Sequence, residues 1–434
     1  MFTRVYKGYV LAALTSVTTL NFLDRNLIIL LIQPIKDDLH LSDSQLGFLT
    51  GIAFGLFYAT LGLPVARWAD RGNRVTITSI AIGLWGITVM SCLFVRSFAQ
   101  LACARVAAAT GEAGCLPPTY SLVGNYYPGG GERSRAMAIY WLANPLASLL
   151  GFLAGGWLNT LYGWRMTFFL MGFPALIVAA LFKFTVSEPR RLNSEVPNNP
   201  SPTFVNMLTL LWRLRSVRHL STALILLFTM SLGLAPWYAA FLIRSHGMKV
   251  AEVGISLGLS FGLCGIVGTL TGGYVASTWL SSDERGQMRV TAVVVAILLP
   301  CLCLFLLIPE RQLALLSLIP LVLVFNFFFG PAFALLQRLV PDEARATAMS
   351  VVMLLANLIG MGLGPQIVGV LSDLLRPSYG LDSLRYAMLC LSLIALWSAY
   401  HFWKCGSTIC EDLVYGSRTG LTVAEVVVRQ QEAT

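Results

Sequence analysis

Charged residues are scarce in this sequence. They account for 12% of the 434 residues, whereas hydrophobic residues account for 56% and the mean hydropathy is +0.72. Soluble proteins usually carry roughly 25% charged residues. A chain this apolar lacks the polar groups needed to cover a water-facing surface, which excludes a soluble fold. The sequence therefore predicts an integral, multi-pass membrane protein with the lipid bilayer as its main solvent.

Groups that bind metals or act as nucleophiles are also sparse. The four histidines (40, 219, 246 and 401) all lie at the ends of apolar runs or between them. The nine cysteines mostly lie inside apolar runs, and the nearest pair, Cys301 and Cys303, has no histidine beside it. No glycine-rich phosphate loop is present. These absences argue against an enzyme, a metal site or a bound cofactor, and they favour cysteines that act as small core residues.

Apolar runs without Asp, Glu, Lys or Arg provide ten candidate membrane spans, each close to or above the roughly 20 residues that a crossing needs. They cover residues 44–66, 75–95, 136–164, 166–182, 219–243, 253–282, 290–309, 312–337, 346–372 and 386–403. Two further apolar runs, about 8–33 and 97–123, are interrupted by charged residues. The sequence thus predicts an all-α membrane protein with twelve transmembrane helices. We number them as spans 1 to 12 in chain order, so the interrupted runs 8–33 and 97–123 are spans 1 and 4. An even number of spans places both termini on one side.

The distribution of basic residues predicts which side that is. Twenty of the 30 Lys and Arg residues fall in segments on the side of the N-terminus, eight fall on the other side and two lie inside spans. Because cytoplasmic loops carry the excess of Lys and Arg, both termini are expected to be cytoplasmic, in a cell inner membrane. The net charge of +9 then reflects loops that face anionic lipid, and no nucleic-acid partner is expected.

A long polar segment divides the spans into six and six. We predict an N-terminal half at residues 1–187, a cytoplasmic linker with an amphipathic helix at 188–218, a C-terminal half at 219–404 and a cytoplasmic tail at 405–434. Nothing in the sequence calls for a second copy of the chain, so a monomer is expected.

The two halves repeat one another. Three matched pairs carry the repeat: Arg133 and Arg345, Asn144 and Asn357, Asp70 and Asp283, at offsets of 212, 213 and 213 residues. All three pairs fall at or near loops on the same side. The halves therefore share one orientation, which is the parallel-repeat architecture of major facilitator transporters.

Particular motifs carry a family resemblance. The stretch from Ala66 to Arg74 resembles the loop signature between spans 2 and 3 of the major facilitator superfamily, although Ala66 replaces the usual opening glycine and Gly72 comes one position early. Gly163-Trp164-Arg165 before span 6 is also typical of that superfamily. Four segments look like the Spinster family of lipid transporters: Asn21 to Arg25, Gly111 to Ala113, Phe241 to Met248, and Asn357 to Pro365 together with Leu371-Ser372-Asp373. The resemblance implies a major facilitator fold with two parallel six-helix halves.

Four ionisable residues lie inside predicted spans: Asp24, Arg25, Arg105 and Glu112. Intramembrane charge is costly, so each is a functional candidate, and two charges of each sign can neutralise one another. We expect Arg25, Arg105 and Glu112 to bind substrate, and Glu112 to carry a proton. The Spinster resemblance implies the same role for Glu112, with Asp24 as its partner acid and protons as the coupling ion. The alternative is a structural ion-pair cluster that joins spans 1 and 4.

The repeat offset predicts what faces these charges. Adding 213 to positions 24, 25 and 112 gives Trp237, Tyr238 and Phe325, and Asn326 follows. We therefore expect a cavity with one polar wall and one aromatic wall, which would suit a substrate with a charged head and an acyl tail. The alternative is that these aromatic residues only pack between helices.

Residues near the loops are candidate gates. We assign a cytoplasmic gate to Asp70, Arg71, Arg74, Arg133 and Arg135, and place Asp373 at the inner end of span 11, where it would cap the gate in the other half. They could equally be ordinary interface anchors.

The function that these observations favour is secondary active transport, coupled to protons, of an amphipathic lipid such as a lysophospholipid or a sphingolipid-like compound. Two alternatives stay open: an exporter of drugs or organic anions, and a uniporter without proton coupling.

Overall fold

The computed structural model describes residues 2–189, 212, 214–278, 283–327, 332–333, 335–336, 339–340 and 345–419. Within these residues all regular structure is helical, and no disulfide joins their cysteines. The amphipathic helix expected in the linker lies outside the described residues.

In the first half of the chain, the described residues form eight α-helices. They are α1 (Arg4–Leu39), α2 (Asp43–Thr50), α3 (Ile52–Arg71), α4 (Arg74–Ser91), α5 (Phe98–Ala113), α6 (Leu116–Tyr126), α7 (Gly130–Trp141) and α8 (Ala143–Thr185). A 3₁₀ turn, Cys92–Phe94, follows α4.

In the described residues of the second half there are ten α-helices. They are α9 (Arg215–Leu234), α10 (Tyr238–His246), α11 (Val250–Leu259), α12 (Gly265–Thr278), α13 (Glu284–Leu307), α14 (Arg311–Phe327), α15 (Arg345–Leu355), α16 (Gly362–Tyr379), α17 (Ser383–Ser392) and α18 (Ile394–Thr419). Ala235–Trp237 and Gly380–Asp382 are 3₁₀ turns, and Ser260–Cys264 and Ala356–Met361 are π-helical turns. Because α18 continues to Thr419, the first part of the predicted tail is helical.

Twelve crossings can be assigned within the described residues. Eight helical stretches are long and apolar enough to cross a membrane, and two of them, Arg135–Thr185 and Ala348–Ile409, are 51 and 62 residues long. Each of these is long enough for two crossings, and each is interrupted by a glycine with positive φ: Gly163 at 75° in the first and Gly380 at 56° in the second. The apolar helix Arg311–Phe327 adds span 10, and α5 with α6 forms span 4.

Two compact units divide the described chain. The first contains the described residues within 1–194, 235–263 and 365–387, and the second contains those within 195–234, 264–364 and 388–434. The first unit therefore contains the N-terminal half and two parts of the C-terminal half. One part is the end of span 7 with the start of span 8, and the other is the end of span 11 with the start of span 12.

A helix break positions Glu112 in the middle of span 4. Helix α5 ends at Ala113, one residue after Glu112, and α6 starts at Leu116 with two prolines in its first turn. Proline has no N–H group to donate, so it is tolerated at a helix start and not in the interior. A side chain at Gly111 would meet the backbone nitrogen of Trp85 at 2.9 Å, which shows that α5 packs closely on α4 at this level.

Candidate functional site

Two ion pairs lie inside the first unit, between α1 and α5. Arg25 Nε donates to Glu112 Oε2 at 2.9 Å, and Arg105 Nη1 donates to Asp24 Oδ2 at 2.5 Å. Asp24, Arg105 and Glu112 are 1%, 4% and 0% exposed. All four intramembrane charges found in the sequence therefore come together, and each one faces a charge of opposite sign.

Helix geometry explains this pairing. Asp24 and Arg25 are adjacent on α1, so their side chains diverge by about 100° and face different partners. Arg105 and Glu112 lie seven residues apart on one face of α5, about 10 Å along its axis. The two pairs consequently form two levels of one interface.

Aromatic rings enclose the guanidinium groups. The guanidinium carbon of Arg25 lies 5.5 Å from the ring centre of Phe22, 5.1 Å from Phe54 and 4.7 Å from Tyr58. The ring of Phe54 also lies 4.9 Å from Arg105, so it contacts both cations. Such contacts stabilise a cation in a site with little water. The sequence analysis did not identify Phe54 and Tyr58. Their spacing of four residues, which places both rings on one helix face, was the pattern that could have indicated them.

In each of the two ion pairs, only one of the two carboxylate oxygens has a described hydrogen-bond partner. Asp24 Oδ1 and Glu112 Oε1 are buried, and neither has a hydrogen-bond partner among the described residues. Asn21 donates instead to the backbone carbonyl of Glu112 at 3.3 Å. Each carboxyl group thus has one oxygen that an arginine holds and one buried oxygen without a described partner.

The aromatic residues expected opposite the charges are divided between the units. Trp237 lies in the first unit, fully buried, and its indole N–H donates to the Pro365 carbonyl at 3.3 Å. Tyr238 stacks on Phe261 with ring centres 6.0 Å apart. Phe325 and Asn326 lie on α14 in the second unit, where the Asn326 amide donates to the Val322 carbonyl at 2.8 Å. The contacts described for Trp237 and Tyr238 are thus a hydrogen bond to the backbone and a ring stack, both within the first unit.

Arg74 bonds within its own half of the chain. It is 3% exposed, and its guanidinium donates to Glu188 Oε1 at 2.7 Å and to Ser121 Oγ at 2.7 Å. Arg133 and Arg135 are exposed on α7. The side chains of Asp70 and Arg71 lie outside the described part of the chain.

The predicted position of Asp373 at the inner end of span 11 is wrong. Its Oδ2 accepts hydrogen bonds from the backbone nitrogen and the hydroxyl of Ser44, at 2.7 and 2.6 Å. Ser44 lies in the first turn of α2, beside the Leu39 end of α1, whereas Arg74 and Glu188 lie at the Arg4 end. Span 11 runs in the same direction as span 1, and Asp373 follows the last residues of the span. Its carboxylate stabilises the N-terminus of α2.

A second charged cluster surrounds Asp43 at the same end, and sequence reasoning did not find it. The Asp43 carboxylate is buried and accepts two bonds from Arg244, both of 2.8 Å, one from Ser372 Oγ at 2.6 Å and one from Lys36. Arg244 also donates to Gln33 at 2.6 Å. We call these residues, with Ser44 and Asp373, the Asp43 cluster. It connects α1 and α2 of the first half with α10 and α16 of the second.

Residues 14–365 match the family model of the Major Facilitator Superfamily. The chain belongs to this superfamily. It is 34% identical over 411 residues to an "MFS-type efflux pump" of Mycolicibacterium smegmatis, covering 93% of this chain and 94% of that protein. Its relatives are transporters and not enzymes, and the predicted twelve-helix fold is confirmed.

Likeness to Spinster proteins is strong in structure. The crystal structure of a bacterial homolog of the human lysosomal transporter Spinster, in an inward-facing and unoccupied conformation, matches with a TM-score of 0.84 and 28% identity, covering 95% of this chain and 99% of that one. Among relatives by sequence, the sphingosine-1-phosphate transporter of Danio rerio is 24% identical over 407 residues, covering 87% of this chain and 80% of that protein. The Spinster resemblance noted in the sequence is thereby confirmed.

Proposed function

We propose that the chain is a proton-coupled transporter that moves an amphipathic substrate with an anionic head by alternating access. The observation that carries this proposal is the ion pair of Arg25 with the buried Glu112, which lies beside the buried Asp24–Arg105 pair. Buried charge of this kind is expensive in a membrane and is retained where it moves ions or binds substrate.

Proton uptake at Glu112 would release Arg25. Protonation removes the negative charge that faces the guanidinium, whereas arginine keeps its own charge throughout. The rings of Phe22, Phe54 and Tyr58 would continue to stabilise the released cation. Arg25 would then be able to hold an anionic head group through two parallel hydrogen bonds. Release of the substrate and of the proton would restore the ion pair between Arg25 and Glu112. Substrate transport and proton transport would thereby be coupled.

The substrate class rests on the same residues and on the relatives. Arg25 supplies a bidentate donor and its aromatic neighbours supply an apolar surface, which together suit an acyl chain with a phosphate or carboxylate head. A relative named as a sphingosine-1-phosphate transporter has this chemistry in its substrate. The efflux pump that is 34% identical supports a second candidate, the export of amphipathic drugs.

Location and orientation complete the proposal. The excess of basic residues on the side of the N-terminus supports cytoplasmic termini in a cell inner membrane, and the chain is proposed to work as a monomer.

The test is Glu112→Gln in the purified transporter, reconstituted in liposomes with and without a pH gradient. Glutamine keeps the shape of the protonated acid, so we expect proton-driven uptake of a labelled lysophospholipid to fall by more than tenfold while binding persists. The matched control is Glu310→Gln, at an exposed glutamate between α13 and α14. Equal pH dependence of Glu112→Gln and wild type would contradict proton coupling. Transport of a cationic dye but not of the lysolipid would favour the drug exporter.

A further inference from the structure

One end of the second unit carries a basic and aromatic surface that the transport site does not use. Three helix segments meet there: the start of α9, the start of α13 and the middle of α18. His219 and His401 join α9 to α18, with their Nδ1 atoms 2.9 Å apart. Arg289 of α13 lies 5.3 Å from the ring centre of Trp403 on α18. We call Arg218, His219, Arg289, His401, Trp403 and Lys404 the basic–aromatic surface.

This surface is rich in cations. The sequence contains no acidic residue in 212–223 or in 394–410, and the two at the start of α13, Asp283 and Glu284, precede Arg289 by six and five residues. Among the described residues, no carboxylate forms an ion pair with Arg218, Arg289 or Lys404. Each of these three cations lies instead over an aromatic ring, at 5.8, 5.3 and 5.7 Å from the ring centres of Trp212, Trp403 and Tyr400. The Nε of Arg289 is buried and has no hydrogen-bond partner in the described part of the chain.

The aromatic residues place this surface at a membrane boundary. Trp397, Tyr400 and Trp403 follow one another on the last span and are 57%, 52% and 44% exposed. Exposed Trp and Tyr at the end of a span are typical of the level at which lipid head groups lie. A soluble anion would not need these exposed aromatic side chains. A phospholipid, in contrast, would place its acyl chains against the aromatic side chains and its phosphate against the cations.

We propose that the basic–aromatic surface binds the phosphate head group of an anionic phospholipid of the surrounding bilayer. Arg218, Arg289 and Lys404 supply the charge. The histidine pair supplies a hydrogen bond: the ring whose Nδ1 accepts from the other carries its own hydrogen on Nε2, which can donate to a phosphate oxygen. Basic clusters between the ends of membrane helices are suited to this chemistry. The inference does not depend on the proposed transport cycle.

The experiment measures bound lipid directly. Purified wild-type protein and the Arg218→Gln/Arg289→Gln variant are titrated with phosphatidylglycerol or phosphatidylcholine of identical acyl chains, and retained lipid is counted by native mass spectrometry. We expect wild type to retain phosphatidylglycerol preferentially, and the variant to bind it about fivefold more weakly for each charge removed. The matched control is Arg96→Gln/Arg376→Gln, which removes two exposed arginines of the first unit and should leave the affinity unchanged.

Three outcomes would overturn the proposal. They are equal retention of the two lipids by wild type, equal loss of affinity in the control variant, and full competition by inorganic phosphate at the concentration of the lipid, which would indicate a site for a free anion. If the double variant does not fold, Lys404→Gln replaces it. This lysine is exposed, so its loss should spare the fold and still weaken the binding of phosphatidylglycerol about fivefold.

Discussion

At the scale of single residues, the candidate site consists of four charges and the aromatic rings that lie against its two guanidinium groups. The sequence alone identifies the four charges, because each interrupts an otherwise apolar run: Asp24, Arg25, Arg105 and Glu112. Phe54 is one aromatic residue among many in the spans, so only the fold shows that its ring contacts both Arg25 and Arg105. The pairing of each charge with a particular partner also required the fold, since it depends on how α1 and α5 align.

Phe54→Leu tests whether the rings matter to the charges. Leucine preserves most of the packing but removes the π face that both guanidinium groups share, a loss of about 0.5–2 kcal/mol for each cation contact. We expect the released state of Arg25 to be disfavoured, so that transport slows several-fold and its pH profile shifts. Phe57→Leu is the control, because Phe57 lies on the same helix but is 37% exposed. Matching pH profiles for Phe54→Leu and wild type would remove Phe54 from the mechanism.

At the scale of helices, sequence reading located the spans and missed how their ends join. Charges at a span end look like ordinary flanking residues, so Asp43 gave no distinct signal, and Arg244 stood out only as part of the motif from Phe241 to Met248. Asp373 was assigned to the wrong end of span 11, although the alternation of spans already places it with the loop between spans 1 and 2. In the structure a side chain at Gly47 would meet the Pro365 carbonyl at 2.7 Å, which shows how closely α2 packs on α16 beside these residues.

Asp43→Asn tests the Asp43 cluster. The substitution leaves Arg244 and Lys36 facing a neutral amide in a buried site, and removing one partner of a buried pair costs about 3–5 kcal/mol. We expect a clear fall in the melting temperature of the purified protein. The control is Asp38→Asn at the same end of α1, where the carboxylate is 41% exposed and pairs with Arg165 at 2.8 Å. An exposed pair contributes about 0–1 kcal/mol, so similar melting temperatures for the two variants would show that the Asp43 cluster stabilises nothing.

At the scale of the whole molecule, composition and the repeat were sufficient for the fold class. Scarcity of charge, twelve apolar runs and an offset of about 213 residues together predicted a major facilitator fold, which the family match at residues 14–365 confirms. The substrate could not be predicted from the sequence, for a physical reason. Both walls of a transport cavity are built from residues distant in sequence, and their spacing across the cavity is not encoded in any local pattern.

Orientation in the membrane is the property of the whole molecule that the sequence predicts and geometry alone does not fix. Arg135 lies near the Arg4 end of α1 and Arg96 near its Leu39 end, and both side chains are exposed. Because 20 basic residues fall on the side of Arg4 and eight on the other, we expect Arg96→Cys to react in intact cells with a maleimide that cannot cross membranes, and Arg135→Cys to react only after permeabilisation. Wild-type protein gives the background from its own cysteines. The reverse pattern of labelling would place the termini outside the cell, and the proton movement proposed at Glu112 would then run in the opposite direction.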